Sequence, residues 1–180
     1  LEEFRQIYER EFNTVWHICL SYMHNEAEAE DALQETFLRF MKFLERKENP
    51  FGKSDNEDGG EGVENIKNKK IRSWLIKTAG NVCKDQLKSW WRKRETYEEA
   101  VHAETTSAYE PDYMIELIRK LPDRYKIPVY MYYYLGYDSR EIADILKMSG
   151  SNVRSILNRA RHKLKNELEK QGITQKGGIC

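Results

Sequence analysis

Residues 138–164, D-S-R-E-I-A-D-I-L-K-M-S-G-S-N-V-R-S-I-L-N-R-A-R-H-K-L, leave this chain few folds to choose from. Ile142, Ala143, Ile145 and Leu146 put apolar groups on one side of a short helix, and Val153, Ile156, Leu157, Ala160 and Leu164 repeat that pattern at helical spacing. Each helix carries its own start signal. Asp138 can cap the first, with Glu141 three residues on, and Ser149 can cap the second just after Lys147 and Met148. About three residues remain for the turn, which is the connection of a helix-turn-helix whose second helix enters a DNA major groove.

The second helix carries Arg154, Ser155, Asn158, Arg159, Arg161 and Lys163 and no acid before Glu167. Arginine can pair bidentately with guanine and asparagine with adenine, while the remaining cations neutralise phosphates. The competing reading is a solvated helix in a small bundle, because amphipathicity alone does not define a groove reader.

A formal net charge of zero argues against a nucleic-acid binder until the charges are taken by segment. Residues 1–64 hold 7 Lys and Arg against 16 Asp and Glu, and residues 65–94 hold 10 against 1. Residues 95–124 hold 3 against 8, and residues 125–180 hold 10 against 5. Two acidic-then-basic halves follow, with two separate phosphate-attracting surfaces and acidic parts suited to other partners.

Charged residues at 33% and apolar residues at 39% describe a soluble globular protein rich in helix formers. No stretch approaches the roughly twenty apolar residues of a membrane span, and the start of the chain, acidic from Glu2, lacks a basic signal-peptide pattern. The expectation is a cytoplasmic protein. Cys19, Cys83 and Cys180 are odd in number and widely spaced, so neither a disulfide framework nor a zinc knuckle is indicated, and two of them fit core positions. His17, Cys19 and His24 lie close in sequence without zinc-ligand spacing. Neither a metal nor a cofactor is indicated. Scattered histidines, no Gly-rich phosphate loop and no nucleophile beside a base argue against an enzyme.

In chain order, Phe4, Ile7, Tyr8, Phe12, Val15, Trp16, Cys19 and Tyr22 recur at helical spacing from Glu2 to Met23. His24 and Asn25 break that helix. A second runs from near Glu26 to about Leu44, burying Leu33, Phe37, Phe40 and Leu44, with Asp31, Gln34 and Glu35 on or beside its exposed side. Residues 46–65, polar, acidic and glycine-rich, read as a mobile insert. Helix returns from Lys69 to Arg94, and Gly80 with Asn81 is expected to divide it at a turn where side chains could meet an extruded base. Its end, K-S-W-W-R-K-R, sets cations beside Trp90 and Trp91, which either stack on unpaired bases or finish the core. Residues 95–111 read as a linker, and a new helix is expected near Asp112. Pro122 and Asp123 begin the next, which Pro128 should bend or open at its first turn. Tyr130, Tyr132, Tyr133 and Tyr134 read as a wedge of core aromatics, and residues 171–180 as a disordered tail.

An acidic second helix, a basic third segment and a terminal helix-turn-helix, in that order, resemble a bacterial RNA polymerase sigma factor of the small extracytoplasmic-function (ECF) group. The matching stretches are D-A-L-Q-E-T-F-L-R-F at 31–40, I-R-S-W-L-I-K-T-A-G-N at 71–81, L-P-D-R-Y-K-I-P-V at 121–129, S-R-E-I-A-D-I-L and S-N-V-R-S-I-L-N-R-A-R. They lie in segments 1–45, 66–94 and 113–168. The resemblance implies that Asp31, Gln34 and Glu35 bind the clamp helices of the polymerase largest subunit. It implies that Asn81, Lys84, Asp85 and Lys88 melt the upstream end of the bubble and capture a flipped base of the minus-ten element, to which the reading of K-S-W-W-R-K-R adds Trp90, Trp91 and Arg92. It also implies that Arg154, Ser155, Asn158 and Arg159, flanked by Arg161 and Lys163, read the minus-thirty-five element as duplex, while the surrounding helices dock on the polymerase flap.

Three departures stand out. The insert is longer than is usual in the group. Lys147 stands where glycine is favoured in the turn, at a strain of about 1 kcal/mol if that residue is left-handed. Ile156 replaces a common arginine.

The expected fold class is therefore all-α, two small helical domains joined by a flexible linker, the second a helix-turn-helix. Residues 1–94 would form the sigma region-two-like domain, with the insert at 46–65. Residues 112–170 would form the region-four-like domain, with the linker at 95–111 and the tail at 171–180. The partners implied are core RNA polymerase, promoter DNA and an anti-sigma factor. The rival reading is an autonomous helix-turn-helix regulator whose first 94 residues dimerise or sense a signal, which requires a dimer on a palindromic operator.

Overall fold

The computed structural model describes residues 2–46, 61–94 and 113–170, with side chains at 61–64 and 90–94 excepted. Most of the expected insert, all of the linker and the tail lie outside the described residues. Seven helices and no strand occur among those described: α1 Glu2–Tyr22, α2 Glu26–Arg46, α3 Glu61–Arg94, α4 Tyr113–Arg119, α5 Asp123–Tyr133, α6 Ser139–Leu146 and α7 Gly150–Lys170. The all-α class expected from the sequence holds. The helices form two compact units, α1–α3 and α4–α7.

In the first unit each helix packs on the other two. Ile7, Val15, Ile18 and Cys19 of α1, Leu33, Phe37 and Phe40 of α2, and Ile71, Leu75, Ile76, Val82 and Cys83 of α3 are buried between them. Phe4, Tyr8, Phe12 and Trp16 are only half-buried. They form a ladder of rings along α1, with Phe4 and Tyr8 also meeting Phe37 of α2 at centroid distances of 6.3 and 4.6 Å. The corner between α1 and α2 is set by Asn25, whose side chain accepts from Glu28 N at 2.9 Å while the Glu28 carboxylate accepts from His24 N at 3.2 Å. One amide that the helix start leaves unpaired, Glu28 N, is thereby satisfied, and the bond from His24 N fixes the residue ahead of the cap.

Two expectations for α3 are corrected. It begins at Glu61, not Lys69, so residues 61–65 of the supposed insert are its first turns. It also runs through Gly80 and Asn81 without a break. A glycine inside a helix costs about 1 kcal/mol relative to alanine. Here Ala79, Gly80, Val82 and Cys83 are all buried against α1 and α2, and that packing outweighs the glycine. Asn81 faces solvent on the opposite side.

Glu11 is a buried charge in this core that apolar periodicity does not predict. It occupies the buried register of α1 and is 0% exposed. Arg72 of α3 donates to both of its oxygens, at 2.7 and 3.1 Å, and Arg10 Nε donates at 2.9 Å. The carboxylate ties α1 to α3, and among the described residues no buried side-chain nitrogen or oxygen lacks a partner.

Cys19 and Cys83 are both buried. A hydrogen bond to Cys83, together with burial, pushes the Cys19 thiol well above its usual range, so it behaves as a core residue.

In the second unit α7 is the central element, packed by α4, α5 and α6. Pro128 lies buried in the interior of α5, which excludes the second of its two expected places, the first turn. Its missing amide removes the bond that the Arg124 carbonyl would otherwise receive. The expected tyrosine wedge is only partly core. Tyr130 is buried and stacks with half-buried Tyr134 at 5.0 Å, whereas Tyr132 is 38% exposed. The turn between α6 and α7 follows the sequence signals closely. Asp138 accepts from Arg140 N and Glu141 N, and the Glu141 carboxylate returns a bond to Asp138 N at 3.0 Å. Ser149 Oγ accepts from Asn152 N at 3.2 Å.

Lys147, which ends α6, is left-handed with φ 57° and ψ 47°. A side chain there strains the backbone by about 1 kcal/mol. Lys147→Gly is therefore expected to raise the stability of the second unit by about that amount, read as a higher denaturant midpoint with unchanged slope.

Candidate nucleic-acid and polymerase interfaces

Along α7 the residues Val153, Ile156, Leu157, Ala160 and Leu164 are buried, so the opposite side is presented outward. Arg154, Asn158, Arg159, Arg161 and Lys163 are exposed and Ser155 is half-buried. At about 100° per residue, Arg161 and Asn158 stand within about 20° and 40° of Arg154, with Ser155 beside them and Lys163 on the far flank. Arg154 lies over Gly150, its Nη1 about 3.4 Å from where a Cβ on that residue would stand, which is ordinary contact. Tyr133 of α5 acts on Arg161 by hydrogen bond and charge and raises its pKa further above the ordinary guanidinium value. The arrangement offers bidentate donors and an amide on a helix narrow enough for a major groove.

On α3 the residues Asn81, Lys84, Asp85 and Lys88 share one side of an unbroken helix at i, i+3, i+4 and i+7. The structure replaces the expected turn with a continuous stripe, which Lys77 extends by one helical turn. Trp90, Trp91 and Arg92 belong to the last turns of the same helix, and their side chains lie outside the described residues.

Asp31 and Gln34 are exposed on α2 and Glu35 is half-buried. They line an open groove of about 510 Å³ together with Leu38, Arg39, Val82, Asp85, Gln86 and Ser89. Glu35 accepts from Arg39 Nε at 2.7 Å, and Arg39 in turn lies 3.9 Å from Asp85. Asp85 thus faces the α2 set as well as the lysine stripe. Leu38, 45% exposed, gives the groove an apolar lip. Sequence periodicity missed Leu38 and Arg39, because their role depends on how α2 meets α3.

Two family models match this chain: sigma-70 region 2 over residues 7–52 and sigma-70 region 4 over residues 112–164, together more than half of its length. The chain is a sigma factor of the ECF group. Among its relatives, the ECF RNA polymerase sigma factor SigM of Bacillus subtilis is 24% identical over 168 residues, covering 89% of this chain and 91% of SigM. The ECF RNA polymerase sigma factor SigL of Mycobacterium tuberculosis is 23% identical over 179 residues, covering 95% and 92%. The fold is similar to that of the sigma factor RpoE of Bartonella quintana, solved in complex with the anti-sigma factor NepR. That match has a TM-score of 0.64 at 16% identity and covers 94% of this chain and 98% of that one. Membership in this family assigns the sigma factor a role in transcription initiation. Among the described residues no helix is long and apolar enough to cross a membrane.

Proposed function

We propose that this sigma factor binds core RNA polymerase through the α2 groove and contacts one promoter in two states. In this reading α7 takes the minus-thirty-five element as duplex, with Arg154 and Asn158 on base edges and Arg161 and Lys163 on phosphates. The α3 stripe of Asn81, Lys84 and Lys88, with Trp90, Trp91 and Arg92 beyond it, melts the minus-ten element and holds an unpaired base. Asp31, Gln34 and Glu35 meet the clamp helices of the largest subunit, and the second unit docks on the flap. Residues 1–94 and 112–170 are the two functional domains, and 95–111 joins them.

The observation that carries this reading is the outward row on α7, free of acids before Glu167 and set on a doubly capped helix-turn-helix. The acidic segments repel DNA, so the chain alone should bind promoters weakly, and polymerase supplies the avidity by holding both surfaces at promoter spacing. An anti-sigma factor is a further expected partner, by analogy with the RpoE and NepR pair.

Run-off transcription with core polymerase and this chain on a genomic template library tests the reading. The expected result is initiation at sites sharing one two-part motif. Absence of initiation, or tight specific binding by a dimer without polymerase, would overturn it.

A further inference from the structure

Arg39 stands between the two candidate interfaces of the first unit. It follows Glu35 by one turn of α2, and its Nε donates to the Glu35 carboxylate at 2.7 Å. Its Nη1 lies 3.9 Å from Asp85 Oδ2 on α3, near enough for charge attraction and too far for a hydrogen bond. One guanidinium therefore faces two carboxylates and is committed to the nearer. The side chains of Glu35, Arg39 and Asp85 are 40, 42 and 62% exposed, so each can change partner without unburying the core. All three line the same open groove, and a partner entering it meets them together.

The two carboxylates belong to different surfaces. Glu35 is one of the α2 set that faces polymerase in the function proposed above. Asp85 sits in the α3 stripe, four residues after Asn81 and three before Lys88, as the acid among Lys77, Asn81, Lys84 and Lys88. A strand whose phosphates follow those lysines is brought up to a negative charge that Arg39 offsets from 3.9 Å. Arginine can give one carboxylate two parallel hydrogen bonds, and a guanidinium already engaged by Glu35 has less to give Asp85. A cation of polymerase that takes Glu35 removes the nearer acceptor. The guanidinium then turns to Asp85, and the repulsion felt by the strand falls.

We propose that Arg39 is a positioning residue that couples polymerase binding to strand capture by moving from Glu35 to Asp85. This rests on the reading of α2 as the polymerase face and of α3 as the strand-binding stripe. Coupling of two binding events is reciprocal, so a strand on α3 tightens the hold on polymerase by the factor through which polymerase tightens the hold on the strand. The strength of one exposed ion pair sets that factor at about two- to fivefold.

The test measures affinity for a fluorescent single-stranded oligonucleotide carrying the minus-ten sequence of a promoter at which holoenzyme initiates. It is run with the full chain alone and with holoenzyme. Glu35→Gln releases Arg39 without polymerase, and should tighten strand binding by the free chain about two- to fivefold. Adding Arg39→Gln should abolish that gain. In holoenzyme Arg39→Gln should weaken strand binding by the same factor, and Asp85→Asn should restore it. Arg39→Lys keeps the charge and should retain part of the coupling. All three positions are exposed, so the unfolding midpoint should not move. A gain from Glu35→Gln that survives Arg39→Gln would reflect general charge and overturn the proposal. A holoenzyme loss in Arg39→Gln that persists with Asp85→Asn would overturn it as well. Failure of the underlying reading has a separate mark: Glu35→Arg would then leave affinity for core polymerase intact, or Lys88→Ala would leave strand affinity intact, in every background.

Discussion

Replacing Glu11 by alanine is expected to destabilise the three-helix unit by about 3–5 kcal/mol, the scale for breaking a buried ion pair from one side. A small domain has about 5–15 kcal/mol in total, so a large share of the stability of that unit would be lost. The cost has two parts. The bonds from Arg10 and Arg72 disappear, and their guanidiniums stay in a partly dry seam with side chains each 33% exposed. That partial exposure lets water reach them and places the expected loss toward the lower end of the range. Glu11→Gln keeps some hydrogen bonding and should cost less. The double replacement Glu11→Leu with Arg72→Met removes the carboxylate and the guanidinium that reaches it from α3, leaves only Arg10 without its partner, and should cost less than Glu11→Ala. Chemical denaturation of the full chain, followed through a transition assigned to α1–α3, reads all three. A loss below about 1 kcal/mol for Glu11→Ala would show that the seam is wet and the tie between α1 and α3 is weak.

The largest functional effect is expected at Arg154. A bidentate side-chain contact to a base contributes about 1–3 kcal/mol of discrimination, so Arg154→Ala should lower initiation from promoters that depend on the minus-thirty-five element on the order of tenfold to a hundredfold. Asn158→Ala should lose less in total and relax preference at a different base pair. Both side chains are exposed, so neither change should move the unfolding midpoint. In contrast, Lys163→Ala at the flank should weaken binding to all sequences alike and reduce its salt dependence. The comparison is made by transcription from promoter variants at fixed salt. Equal losses on every variant for Arg154→Ala would place Arg154 on the phosphate backbone.

Much of the second unit was legible because its signals are local. Asp138 with Glu141, and Ser149 ahead of a helical repeat, fix two helix starts within a few residues of chain, and the caps observed are the ones those residue types form. The first unit was less legible where tertiary packing reverses a local preference. Gly80 with Asn81 reads as a break, and burial of Gly80 against two neighbouring helices keeps α3 continuous. The stretch E-G-V-E-N at 61–65 reads as loop, yet it forms the first turns of that same helix.

The candidate sites divide along the same line. The row on α7 could be read from spacing alone. The residues of the groove that joins Asp31, Gln34 and Glu35 to Leu38, Arg39 and Asp85 come together only when separate helices meet. Glu11 belongs with these, since an acid in an apolar register signals a partner without naming it.

The account stands on two helical surfaces, far apart in the chain, that touch one promoter in paired and unpaired form. Site-specific photocrosslinking of the holoenzyme on a promoter tests it most directly, with the crosslinker placed once at Asn158 and once at Lys88. The expected result is two separate sites: Asn158 on upstream duplex, and Lys88 on a strand that permanganate marks as unpaired, each appearing only with core polymerase present. Crosslinks from both positions to a single duplex segment, or the same pattern without polymerase, would contradict it.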